Sequence, residues 1–417
     1  MLILIYLLER YGIELPFGIV LSIAIILRIA FALKAPELSD DIYRYLWDGI
    51  IFNNGINPYA FTPIDIYKSL PEYGELFHKL NHNDFFTIYP PVSQLFFGIS
   101  TYISKNLVGM KILLSILDAI TCFFIYILLK SFYRSTSFSL LYAFNPLVVI
   151  EISGSGHIDG LGVFFLAFCM FLLSRHVLPN DKKINYEFSL KYTVIIAAIS
   201  ISFAFAVLTK LFPLVFLPLF VFLLPIKLFL LFFLVFMFTI IGMITVFYPD
   251  IMNMLTTLSI YTANWEFSNI LFKILHAISN SAVIPRVILV IFFVACLVLI
   301  YKKFIPLLLN YSLNAFISAC YYISFAFLVF YPTLHPWYGL YMILFLPFVM
   351  RIDGIVFSFS LLLLYRVMSL YVSDRIWFDD WFMASLVLLG PLASMCLSLL
   401  CAHVCRLPAF MSTLHDK

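Results

Sequence analysis

The sequence predicts an all-α polytopic integral membrane protein, and three observations predict it. Only 11% of the 417 residues are charged, where soluble domains carry about 25%. Mean hydropathy is +1.05. Apolar runs of about 20 residues, the length that crosses a hydrocarbon core of roughly 30 Å, recur from one end to the other. In lipid such runs are helices, because lipid offers no partner to an unpaired backbone group.

Taken in order, the spans read as 13–33, 107–129, 137–152, 159–174, 190–208, 211–225, 228–247, 284–301, 312–331, 338–350, 354–372 and 382–402. That makes about 12 transmembrane helices, 11 to 13 given the boundaries, in a single domain over 1–417. The stretch 89–104 is apolar but short and opens on Pro90-Pro91, so it reads as an interfacial or re-entrant helix. No Arg/Lys cluster or small-residue cleavage site precedes the first run, which is therefore expected to be retained.

Orientation follows from the basic residues. With the N-terminus inside, Lys130 and Arg134, Arg175, Lys182 and Lys183, Lys227, Lys302 and Lys303, Arg351 and Arg406 all fall on one side, as the positive-inside rule requires. The other side collects a long loop, 35–106, "EISGSGHIDG" (151–160), "TKLFP" (209–213), the 248–283 connection, "LHPWY" (334–338) and "SDRIWFDDW" (373–381). The chemistry is expected on that extracytoplasmic side.

Several residues there need an explanation. Asp40 and Asp41 stand side by side after Ser39, at the start of a predicted helix with Asp41, Arg44 and Asp48 on one side and Ile42, Leu46 and Ile50 on the other. That pattern predicts an amphipathic helix on the membrane surface. Acidic residues in a first turn complement the helix dipole, so capping competes with catalysis as the reason for the pair. His157 and Asp159 lie among glycines in a turn after Glu151, and the turn alone explains the glycines but not three ionisable groups. Lys210 sits at an outer helix end, where snorkelling to the interface competes with an anionic partner. Arg286 and Arg366 fall within or at the start of spans, where ionisable groups are functional candidates. Arg28 and Asp118, also within spans, read as a structural ion pair. Pro336, Trp337 and Tyr338 suit a helix start in the aromatic belt, leaving His335 over.

Metal sites get little support. His78 and His82 are expected to share a helix face and, with the aspartates, to offer a divalent-metal site. Cys401 and Cys405 share an i, i+4 face, and two buried thiols fit them better than a metal. The seven cysteines fall in spans or at a helix end, so no disulfide framework is expected. No nucleotide-binding loop or nucleophile elbow occurs, so nothing in the sequence points to a nucleotide, dinucleotide or nucleic-acid partner.

Together, "SDDIYRYLWDG" with "GINPYAF", "TIYPPVSQ" (87–94), "FNPLVVIE" (144–151) with "GHIDGLG" (156–162), "TKLFPL" and "HPWY" resemble the GT-C glycosyltransferases. The branch most resembled is the bacterial polyprenol-phosphate-mannose-dependent mannosyltransferases, over most of the chain and in order. The resemblance implies a GT-C-like fold with interfacial helices in the first loop. It implies a polyprenyl-phosphate sugar as donor, a glycolipid or glycan as acceptor, and an active site on the extracytoplasmic side of a bacterial plasma membrane. The prenyl chain would lie among membrane lipids in apolar grooves, for which 47 Phe offer material. An acceptor hydroxyl would attack the anomeric carbon with inversion, needing a carboxylate base and cations where charge grows on the phosphate.

On that basis Asp40 is the expected base, with Asp41 second or supporting. The family often separates its carboxylates by one residue; here they are adjacent, so the spacing does not choose between them. Lys210, Arg286 and Arg366 are the expected phosphate contacts, and His157, Asp159, His335, Trp337 and Tyr89 the sugar or acceptor contacts. The sequence does not decide metal dependence: the protein's own cations can suffice for a leaving group with one phosphate, and a divalent metal is equally compatible. The alternative from another class is a transporter or flippase of a lipid-linked or small polar substrate, though no inverted repeat relates the two halves.

Overall fold

The computed structural model describes residues 2–177 and 190–404 except 375 and 377. Lys182, Lys183, Arg375, Trp377, Cys405 and Arg406 therefore lie outside the described residues, and the Cys401–Cys405 pairing with them. Of the described residues, 79% are helical.

Eight helices among the described residues are long and apolar enough to cross a membrane: Leu107–Ser131, Asp159–Val177, Leu190–Thr209, Ile226–Val246, Val283–Leu308, Leu313–Phe330, Ile352–Tyr371 and Trp381–Ser398. Each overlies a predicted span, and the protein is an integral membrane protein. A ninth is bent by 47° between Thr136–Ala143 and Pro146–Ser155. Its break is chemical: Pro146 cannot continue the first helix, and the Asn145 side chain caps the second by accepting from Leu147 N–H at 3.0 Å. The remaining three predicted spans are shorter helices, Phe17–Ala32, Phe212–Leu223 and Pro336–Val349. All three begin on or next to a proline, and in the last two a 3-10 turn replaces the first α-helical turn.

Burial separates the bundle's inside from its lipid face. Leu313–Phe330 buries 13 of its 18 residues, whereas Ile226–Val246 buries three of 21 and Val283–Leu308 four of 26. Helices apolar all round yet little covered by protein are those that lipid must cover. Inside the bundle, Arg28 and Asp118 form the expected ion pair, Nε to Oδ2 at 2.7 Å with both side chains 1% exposed. The rest of each group is satisfied as well. Arg28 donates to the carbonyls of Ala24 and Ala143, and the Tyr142 hydroxyl donates to Asp118 at 2.6 Å.

The first long connection departs from expectation. Its helix Asp41–Asn53 does not lie on a surface with a wet polar side: Arg44 and Asp48 are buried along with Ile42, Tyr45, Leu46, Trp47 and Ile50. The connection folds back on its own helix and covers the polar side. Asp48 accepts from Arg44 (2.8 Å), Thr87 (2.6 Å) and Gln94 (3.1 Å), and Arg44 donates to the Phe85 carbonyl. The second long helix of the connection, Pro91–Ile103, has 13 residues, about 20 Å at 1.5 Å each, too short to span.

These two helices touch at Gly49. A Cβ there would sit 2.3 Å from the Phe97 carbonyl oxygen and 2.7 Å from Thr101 Oγ1, so only glycine permits the approach that stacks Tyr45 on Phe97 at 4.6 Å. Gly49→Ala is expected to destabilise the protein by about 1–3 kcal/mol, read as a lowered midpoint in thermal unfolding of the purified protein. An unchanged midpoint would show that the contact yields easily.

His78 and His82 do not share a helix face. The short helix Gly74–Phe77 ends before them, and His82 adopts a positive φ of 47° in the turn that follows.

Candidate active site

One cavity of about 530 Å³ opens among the segments that the basic-residue pattern assigned to one side. Its floor and walls come from six stretches: 38–44 and 81–89 of the first connection, Lys210 at its helix end, 257–267, 335–338, and Met368 with Tyr371.

The acidic pair stands on one wall. Asp40 occupies the N-cap position of Asp41–Asn53, yet its side chain makes no capping hydrogen bond; Ser39 Oγ instead accepts from Asp41 N–H at 3.3 Å. Capping therefore does not explain two carboxylates. What holds them is Asn81, whose Nδ2 donates to Asp40 Oδ1 at 2.7 Å and to Asp41 Oδ1 at 3.0 Å. One amide clamps both, offsetting part of their mutual repulsion. Asp41 keeps 22% of its side chain exposed. Burial and the adjacent Asp40 raise its carboxyl above the ordinary value, against the opposing pull of Asn81 and Lys210.

Facing this wall is Lys210, 21% exposed, with Nζ 3.6 Å from Asp159 Oδ2 and 5.3 Å from the centre of the Tyr89 ring. Its position is fixed by the end of its helix, where Ser93 donates to the Thr209 carbonyl at 2.8 Å. Snorkelling into water does not describe it. Tyr89 is itself pinned by Tyr59, whose hydroxyl donates to its carbonyl at 2.7 Å.

His335 and Trp337 form the third wall. Trp337 lies between two imidazoles, His335 at 4.3 Å and His157 at 3.9 Å between ring centres, both stacked. Burial and Lys210 hold His335 down to about 3, so it is neutral at physiological pH. His157 and Asp159 lie behind the lining rather than on it, each 1% exposed. Their turn is set by Gly156, at φ +77°, where a Cβ would meet Ile42 at 2.4 Å.

Arg286 and Arg366 are not brought to the cavity. Arg286 donates to the carbonyls of Thr262 and Trp265, both at 3.1 Å, and lies over Phe272; it braces the back of the wall that Trp265 lines. Arg366 is exposed on the last part of Ile352–Tyr371. Asp379, from "SDRIWFDDW", is likewise a brace, accepting from Ser268 and paired with Lys273 at 3.0 Å.

Residues the sequence did not single out complete the site. Asn81 is foremost. Tyr261, bonded to the Tyr338 hydroxyl at 3.0 Å, and Trp265 add aromatic surface, and Glu266 adds a third carboxylate. A loop asparagine forty positions from the acidic pair carries no signal in a single sequence, and neither does an aromatic residue among 47 Phe, 25 Tyr and 5 Trp. Among the described residues, no group of three His, Cys, Asp or Glu is arranged to hold a metal ion.

The electrostatics give a pH expectation. If Asp41 must be ionised to act, activity falls as pH drops through its pKa. Because that pKa is raised, the acid limb of kcat should lie above the ordinary aspartate value of about 3.9, with no separate limb from His335. A limb at or below the ordinary value would assign the ionisation elsewhere.

No curated protein and no solved structure matches the chain. Residues 11–225, which hold the acidic pair, Asn81, Tyr89, Glu151, His157, Asp159 and Lys210, match the family model described as alpha-(1->6)-mannopyranosyltransferase, N-terminal domain. That match covers more than half of the chain, which therefore belongs to this family of mannosyltransferases.

Proposed function

We propose that the protein moves mannose from a polyprenyl-phosphate donor to a hydroxyl of a glycolipid or glycan, on the extracytoplasmic face of a bacterial plasma membrane. The observation that carries this reading is the pairing of an amide-clamped carboxylate pair with Lys210 across a single cavity in a membrane bundle. A glycosyl transfer needs opposite charges at its two ends: a base where the acceptor loses its proton, and a cation where the leaving phosphate gains charge.

In this reading Asp41 is the base and Asp40 the neighbour that keeps it basic. The choice of Asp41 rests on its greater exposure to the cavity and on the field of Lys210, which reaches it. Lys210 receives the phosphate, and the donor's tail remains in lipid. Tyr89, His335 and Trp337 offer surface to the sugar or the acceptor, while His157 and Asp159 support that surface from behind. Arg286 and Arg366 take no direct part. A single displacement inverts the anomeric carbon, so an α-linked product demands a β-linked donor. Extracytoplasmic placement rests on the basic residues gathered at the other helix ends.

The test is transfer by purified protein from radiolabelled β-linked polyprenyl-phosphate mannose to octyl α-mannoside. Formation of a labelled α-(1→6) dimannoside supports the reading. Transfer from a nucleotide-linked mannose in place of the lipid donor would contradict it, as would movement of the lipid donor across liposomes without transfer. Lys210→Ala should raise the KM for donor by about 10–100-fold, since a charge-assisted contact contributes about 1.5–3 kcal/mol, and leave the KM for octyl mannoside nearly unchanged. The reverse order would place Lys210 at the acceptor.

A further inference from the structure

Behind the cavity wall lies a set of ionisable groups off its lining. His157 and Glu151 are each 1% exposed and do not line the cavity. Glu151 sits on a π-helical segment, Val149–Ser155, a winding often found at functional sites. The chain then turns through Gly156, and His157 N–H donates to the Glu151 carbonyl at 2.9 Å, which brings the two side chains face to face.

The side-chain geometry is a line. His157 Nδ1 is 4.0 Å from Asp41 Oδ2, and His157 Nε2 is 3.2 Å from Glu151 Oε2. Glu151 Oε1 accepts from the Tyr365 hydroxyl at 2.6 Å. Stacking on Trp337 fixes the plane of the imidazole. Yet Glu151 Oε2 and both His157 nitrogens are buried without a hydrogen-bond partner. Buried polar groups are normally satisfied. Three left short on one line, with a reacting carboxylate at its end, mark a place where a proton changes position.

We infer that His157 and Glu151 are a relay that draws off the proton Asp41 takes from the acceptor hydroxyl, and that Glu151 stores it. This rests on Asp41 being the base. In the transfer, the acceptor oxygen bonds to the anomeric carbon as the bond from that carbon to the phosphate oxygen breaks, its electron pair leaving on the phosphate. The hydroxyl proton goes to Asp41 Oδ2. That proton then passes to His157 Nδ1 while the Nε2 proton of His157 passes to Glu151 Oε2. Asp41 is again a carboxylate, His157 again neutral, and Glu151 a carboxylic acid. Asp41 and Glu151 both start as carboxylates, so the three groups carry two negative charges before the transfer and one after it, the other charge having gone to the leaving phosphate, and nothing is oxidised or reduced. Closing the 4.0 Å gap to hydrogen-bond length takes about 1 Å of side-chain movement, favoured once Asp41 holds a proton to donate.

A neutral imidazole is what such a relay needs. The ionisable groups facing His157 are Asp41, Glu151, Asp159, Lys210 and His335; burial, with Lys210 and His335, holds its pKa well below the ordinary value. The gain is electrostatic: the carboxylate nearest the sugar recovers its negative charge instead of remaining neutral.

The experiment uses the transfer assay above on Glu151→Gln, His157→Gln, the double variant and Asp41→Asn, with kcat followed against pH. Gln is isosteric with Glu, and His157→Asn supplies a second variant at the histidine. Glu151→Gln and His157→Gln are each expected to lower kcat about 10²-fold with the donor KM unchanged. The acid limb in Glu151→Gln should move to lower pH, because removing a neighbouring negative charge weakens the hold of Asp41 on a proton. The double variant should fall no further than either single one, as for groups acting as a unit. Parent kcat and an unmoved acid limb in Glu151→Gln, beside an inactive Asp41→Asn, would overturn the relay and leave the base standing. Losses that multiply in the double variant would also overturn it. An active Asp41→Asn would remove the base, and the relay with it.

Discussion

Asp41→Asn is expected to lower kcat by about 10²–10⁴-fold, the range general bases supply, with donor binding little changed. The substitution keeps the shape, and Asn81 can still donate to the new amide oxygen, so the clamp survives and only the proton acceptor is lost. Asp40→Asn should cost less. Asp40 is the more buried of the two and shares the same amide; its charge helps raise the Asp41 carboxyl. Removing it should shift the acid limb of kcat to lower pH and reduce the plateau by about tenfold, as expected for a weaker base. Should Asp40→Asn prove the more damaging, the order of roles within the pair is reversed.

The second large effect concerns folding. Arg28→Leu leaves Asp118 charged and buried inside the bundle, with only the Tyr142 hydroxyl to satisfy it. Breaking a buried pair from one side costs about 3–5 kcal/mol, so the variant should unfold at a markedly lower temperature in detergent or fail to accumulate. Replacing both partners by apolar residues removes the stranded charge, and the pair Arg28→Leu with Asp118→Leu should regain much of the loss. A single variant as stable as the parent would show that Asp118 takes up a proton or finds water. Neither residue lines the cavity, so the effect should appear in stability and yield rather than in the KM of surviving protein.

Much of the fold was legible because lipid imposes a simple rule: apolar runs of fixed length must be helices. Where that rule blurred, a proline was usually at work. Pro146 bends the 137–152 run, and Pro213 and Pro336 tighten the starts of two others. The Asp41–Asn53 helix misled for a different reason. Its alternation of polar and apolar faces is genuine, but what covers the polar face is the chain's own 82–94 segment and not water. Helical periodicity reports that two faces differ; it does not say what lies against either.

The site was legible in part for an analogous reason. Asp41, Lys210 and His335 stood out because an ionisable group at a membrane helix end needs a partner, and all three line the cavity. Arg286 satisfied the same criterion yet found its partners in backbone carbonyls. Asn81 satisfied no criterion at all, although it holds the acidic pair together. Charge is visible in sequence, whereas the loop that brings an amide to it is a product of the fold.

The most direct test of the central claim is a cryo-electron microscopy map of the protein with a non-transferable polyprenyl-phosphonate mannose. The phosphonate should lie within hydrogen-bonding reach of Lys210, the mannose should occupy the cavity with its anomeric carbon turned toward Asp41, and the prenyl chain should run out into lipid. A phosphonate bound away from Lys210, or a sugar with the acidic pair at its back, would contradict the claim.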